Sequence, residues 1–300
     1  MSSDQNDTFN EGTGQNNGNT SEQSKTQERL LQIVKACGYA LIFLVAQIIA
    51  NFVLQTIWGV QRVSQLSSQG IMISEGELTD YLLQKTYENT HMIVIIYVPI
   101  MLAFLLVFFG IRRKNILKEI QMKKFSVRYI LLVVILFVGF ALFANAALNL
   151  LPVSLGEDYR QSASRFIGQH DLLLMIVANI FLAPLSEEII FRGLITSRLR
   201  RAFPNWVSIA IASILFGIVH LQIVWAVYAA LMGVIMGIIA YKADSIAASI
   251  LFHVLFNTFG TILSYVGFVI PFIGIIIAFV IGLIITIVGL YFLLKQPKTE

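Results

Sequence analysis

The stretch Val207–Tyr241, VSIAIASILFGIVHLQIVWAVYAALMGVIMGIIAY, decides how often this chain crosses a membrane. As a single helix these 35 uncharged residues would be about 52 Å long, against a hydrocarbon core of about 30 Å. They therefore read as two spans, near residues 207–222 and 225–241, joined by a tight turn around Leu221–Trp225.

Working outward, further apolar runs lie near residues 36–58, 91–110, 129–151, 172–195, 246–267 and 270–294. With the split they make eight spans, and the expected fold is all-α, a polytopic membrane helical bundle. Composition agrees. Of 300 residues, 57% are hydrophobic and 13% charged, against about 25% charged in soluble domains. A formal charge of +4, dispersed along the chain, is too weak for a nucleic-acid partner.

The basic residues act instead as topology signals. With both termini inside, sixteen of the 21 Lys and Arg lie in cytoplasmic segments, among them Lys25, Arg29, Lys35, Arg112, Arg113, Lys114, Arg200, Arg201, Lys242 and Lys295. Only Arg62, Lys85, Arg160 and Arg165 fall outside, and Arg192 is left within a span. Making 207–241 a single span would weaken the ratio to 13 against 7. The positive-inside rule thus favours eight spans in a multi-pass protein of the cell membrane.

Four regions follow: a disordered polar cytoplasmic tail, 1–28; N-terminal spans and loops, 29–170; a catalytic membrane core, 171–267; and the last span with a short cytoplasmic tail, 268–300. The tail is rich in Ser, Asn, Gln and Gly and has too little apolar surface to offset its ordering entropy. Cys37 is the only cysteine, so no intrachain disulfide forms.

The chemistry concentrates in Ala183-Pro184-Leu185-Ser186-Glu187-Glu188-Ile189-Ile190-Phe191-Arg192-Gly193, where two carboxylates and a guanidinium enter an apolar run. Charges in lipid are functional candidates by default. Glu188 and Arg192, at i and i+4, share a helical face and can pair; Glu187 points about 100° away and has Phe191 at i+4. Pro184 frees a backbone carbonyl, at Ile180 in α-helical register. His220 lies in the next apolar run, and His253 and Asn257 face the same side of a later one. Each also fits a structural role as interhelical polar glue. Together they supply a carboxylate and an imidazole to activate water, plus two donors for an oxyanion. There is no Gly-x-Ser-x-Gly elbow and no His-Glu-x-x-His helix.

Glu187-Glu188-x-x-Phe191-Arg192-Gly193, then Phe216-x-x-x-His220, then His253-x-x-x-Asn257 resembles the three-motif signature of the CPBP intramembrane proteases, which include Rce1-type CAAX prenyl endopeptidases and bacterial Abi or bacteriocin-immunity proteins. The resemblance covers about residues 172–260. It implies an intramembrane glutamate-type endopeptidase acting on a membrane-associated or lipid-modified peptide or protein. Glu187 and His220 would activate water, His253 and Asn257 would hold the oxyanion, and Glu188 and Arg192 would support the geometry. No cofactor is implied, although zinc held by Glu187, His220 and His253 is the competing arrangement because older descriptions call the family metalloproteases. Other readings are a noncatalytic partner of a membrane sensor or toxin receptor, and, less favoured, a proton-coupled transporter. Relatives often carry Gly-Ser before the last motif; this chain has Asp244-Ser245.

Overall fold

The computed structural model describes residues 14–152, 154–156, 171–266 and 271–298, with no strand among them. The expected outer loop carrying Arg160, Arg165 and His170 lies outside the described residues, as do 1–13 and 267–270. The helices are α1 (Gly14–Ser68), α2 (Glu75–Glu88), α3 (Thr90–Ile111), α4 (Ile116–Glu119) and α5 (Val127–Leu150). They continue with α6 (Leu172–Ala202), α7 (Asn205–Ile218), α8 (Ile223–Ala243), α9 (Ile246–Val266) and α10 (Phe272–Lys295).

Seven of these, α1, α3, α5, α6, α8, α9 and α10, are long and apolar enough to cross a membrane. The eighth expected span, α7, has only 14 residues. It stops at Ile218, where His220 N and Leu221 N close three-residue turns onto Gly217 O and Ile218 O, and Leu221 reverses the chain at φ 61°. Gly217 permits this tight hairpin, because a Cβ there would lie 2.4 Å from the carbonyl oxygen of Ala226 on α8. The turn therefore falls at Val219–Gln222, slightly earlier than Leu221–Trp225.

Helix α1 shows how lipid and core divide one helix. Ala36, Tyr39, Phe43, Ala46, Ala50 and Leu54 recur every three or four residues and are buried, while Leu41, Leu44, Ile48 and Phe52 face outward. This is the 3.6-residue period with lipid in place of water on the outer side. The helix continues N-terminally to Gly14, so the polar residues from Gly14 to Glu28 extend α1 instead of forming the unordered chain expected. Once a span has nucleated a helix, each added residue gains a backbone hydrogen bond, and Glu22, Gln23, Lys25, Gln27 and Glu28 are competent helix formers.

Helices α5 and α10 pack backbone to backbone. A Cβ on Gly282 would lie 2.4 Å from Phe143 N, so only glycine allows this approach. Close packing of small residues holds spans together where lipid offers no hydrophobic driving force. The aromatic centre is Phe191, edge-on to Phe43 of α1 at 5.5 Å and to Phe216 of α7 at 5.2 Å.

The basic end of the bundle is closed by residues 112–126. Asn115 caps α4 by accepting from Leu117 N and Lys118 N, and Ile120 is buried against Gly193 of α6. Ile246 N donates to Gln121 O, and Ser245 Oγ bonds the backbone of Lys123. Here Asp244-Ser245 finds its structural reason. Asp244 ends α8 in the left-handed region at φ 48°, which a short polar residue tolerates. Its carboxylate pairs with Lys123 and, at 3.5 Å, with Lys298.

Candidate active site

Helix α6 is not a uniform α-helix. It has π geometry over Ile176–Leu182 and again over Ile189–Ile195, with α turns at Ala183–Glu188 between them. Such π turns often mark functional sites. The first arises where Pro184 lacks an N–H. Ala183 N bonds five residues back to Ala178 O, and in that register the donor owed to Asn179 O would be the missing N–H of Pro184. The unpaired carbonyl is thus at Asn179, one residue before the Ile180 expected from α register. Asn257 Nδ2 of α9 fills it at 2.8 Å.

Glu188 and Arg192 pair at 2.7 Å with side-chain exposures of 0% and 3%, as their spacing predicted. The same Glu188 oxygen accepts from His253 Nδ1 at 3.1 Å. A carboxylate holding one ring nitrogen orients the imidazole and directs its other nitrogen elsewhere. Here Nε2 is directed at Glu187, whose Oε2 is 3.7 Å away, beyond hydrogen-bond reach. Beneath this group sits Phe216, which meets His253 edge-on at 5.9 Å and His220 at 5.0 Å and carries the Arg192 guanidinium over its face at 4.3 Å. The cation–π contact adds a second partner for the buried guanidinium.

A cavity of about 410 Å³ opens toward the end of the bundle away from the basic loops, and Glu187, His220, His253 and Asn257 all line it. This is within the usual range of ligand pockets. Glu187, unlike Glu188, is partly exposed to the cavity, with 16% of its side chain accessible. His220 Nδ1 donates to Phe216 O at 2.7 Å, which leaves Nε2 as the nitrogen available to a ligand or proton. Among the described residues Glu187 lies within ion-pair distance of His253 and not of His220. No three His, Cys, Asp or Glu side chains converge as a metal-ligating set among the described residues.

Sequence reasoning did not single out Asn145, Asn179, Trp225 and Tyr228, which also line the cavity. The polar pair carried a usable signal, two asparagines in otherwise apolar spans. The aromatic pair did not, since Trp and Tyr abound at membrane interfaces. Tyr97 of α3 was also missed; it is buried and its hydroxyl meets Ser186 Oγ at 2.9 Å, one residue from Glu187.

Residues 169–259 match the profile of the family described as Type II CAAX prenyl endopeptidase Rce1-like. No curated protein and no solved structure matches the chain.

Proposed function

We propose that this multi-pass membrane protein, whose residues 169–259 carry the Rce1-like core, is an intramembrane endopeptidase that hydrolyses a peptide bond in a membrane-associated or lipid-modified substrate of the cell membrane. The observation that carries this reading is the division of labour between adjacent carboxylates. Glu188 is sealed between Arg192 and His253, while Glu187 reaches the cavity.

In the reaction, Glu187 removes a proton from water, assisted by the available Nε2 of His220, and the hydroxide adds to the scissile carbonyl carbon. The developing oxyanion accepts hydrogen bonds from His253 Nε2–H, in its doubly protonated form, and from the Asn257 Nδ2 hydrogen not committed to Asn179 O. The C–N bond then breaks, and the proton held by Glu187 passes to the departing amine. No metal enters these steps.

Glu187→Gln keeps the shape of the side chain and removes the base. Peptide termini that appear in membrane fractions with the native protein should be missing with Glu187→Gln at equal accumulation, in quantitative terminal proteomics. Equal cleavage by purified native and Glu187→Gln proteins would end the assignment. Restoration of a deletion phenotype by Glu187→Gln, without carboxylate-dependent termini, would instead support a noncatalytic membrane partner.

A further inference from the structure

A second cavity, about 360 Å³ in volume, lies at the opposite, basic end of the bundle between α4 and the α6–α7 junction. Three cations line it, Lys118, Arg200 and Arg201, together with the neutral donors Ser197 and Asn205. Its only acid, Glu119, is already committed to Lys114 at 3.2 Å and to Arg198, outside the set of lining cations. The cavity therefore carries positive charge that its own walls do not neutralise.

Arg200 is also held in place. Its Nε donates to Asn205 Oδ1 at 2.9 Å, and its guanidinium lies 4.8 Å from the centre of the Tyr241 ring. Asn205 is itself fixed by donating to the Tyr241 hydroxyl at 3.2 Å. A planar guanidinium pinned at Nε presents its terminal N–H groups as a fork, which matches the spacing of phosphate oxygens. Next to the cavity, Trp206 is 74% exposed, as expected of an aromatic anchor at headgroup depth.

We propose that this cavity binds a phosphate group, either that of an anionic phospholipid headgroup in the adjoining leaflet or that of a soluble phosphate. Basic pockets between spans favour such headgroups, each cation near the surface being worth about fivefold in affinity. The site is separate from the Glu187 cavity and stands whether or not the protein is a peptidase.

The test uses the full-length protein in nanodiscs of phosphatidylcholine alone or with phosphatidylglycerol, and separately in detergent with inorganic phosphate. Thermal unfolding and native mass spectrometry of retained lipid are the readouts. Phosphatidylglycerol should raise the midpoint and be retained, with Arg200→Gln weakening it about fivefold or more; Lys295→Gln, which removes a cation of the same end outside the cavity, should leave it unchanged. Stabilisation by inorganic phosphate that Arg200→Gln removes supports the same site filled from the soluble source. If Arg200→Gln does not accumulate, Lys118→Gln, at an exposed position, serves in its place. Equal behaviour in both lipids with no effect of phosphate, or equal losses from Lys118→Gln and Lys295→Gln, would overturn the proposal in favour of diffuse surface attraction.

Discussion

Arg192 and Arg198 stand on the same helix, each with 3% of its side chain exposed, yet they are neutralised in opposite ways. Arg192 meets Glu188 one turn away on α6, so the pair forms as soon as the helix does. Arg198 reaches Glu119, 79 residues upstream, and so depends on residues 112–126 having docked. The first is sealed in the bundle and organises His253. The second fastens a loop to the rim, where the Glu119 side chain is 17% exposed. Burial of the arginine is equal; access of water to its acid is not.

The largest effect expected from breaking this contrast is in the sealed pair. Arg192→Met leaves Glu188 charged and buried with only His253, and should cost about 3–5 kcal/mol in unfolding free energy. The double change Glu188→Gln with Arg192→Met should recover most of that stability in detergent unfolding but not cleavage, because His253 loses its orienting carboxylate. A single-variant cost below about 1 kcal/mol, the level of an exposed ion pair, would show that water reaches the pair.

At the rim, Glu119→Gln should cost less, about 1–3 kcal/mol, the usual penalty for leaving one buried group poorly satisfied. Its signature is local. Residues 112–126 should become sensitive to protease in intact vesicles while the spans stay protected. Unchanged protection would mean that Ile120 and Ser245 hold the loop without the ion pair.

The smallest effect concerns the neighbouring Asp244. Burial pushes its carboxyl up, but Lys123 and Lys298 outweigh this and hold it below the ordinary 3.8. A folded value below the unfolded one makes the stabilisation complete above the unfolded value and lost as pH falls through the folded one. Asp244→Asn keeps a residue suited to the left-handed backbone, so it isolates the charge. Its thermal midpoint should lie slightly below native at pH 7, and the gap should close as the pH drops below 3.8. A gap undiminished in acid would assign the effect to the backbone.

The same contrast separates what was legible in the sequence from what was not. Glu188–Arg192 could be read from an i,i+4 spacing, and the turn within 207–241 from length against membrane thickness. Glu187, His220, His253 and Asn257, drawn from three separate stretches of the sequence, line one cavity. Contacts that depend on helix irregularity or on long-range docking were hidden. The π register moved the unpaired carbonyl from Ile180 to Asn179 and so determined where Asn257 is anchored. The placement of His253 between Glu187 and Glu188 follows from how α9 packs on α6, which no single-helix periodicity reports. The helical course of residues 14–28 was missed because composition describes a segment in isolation, not one continued from a neighbouring span.

The short α7 has a consequence for the surrounding lipid. At 14 residues it reaches about 21 Å, some 9 Å short of an average hydrocarbon core. Leu221 and Ile223 at its tip are 92% and 70% exposed, so these two side chains suit contact with acyl chains. His220 and Gln222 in the same turn are polar, and bringing them to water requires the bilayer to thin locally, at a cost of a fraction of about 1 kcal/mol per Å. That deformation grows with acyl-chain length and bears on the hairpin that carries His220. Membrane thickness thereby becomes a mechanical load on one wall of the cavity, lightest in short-chain bilayers and heaviest in long-chain ones.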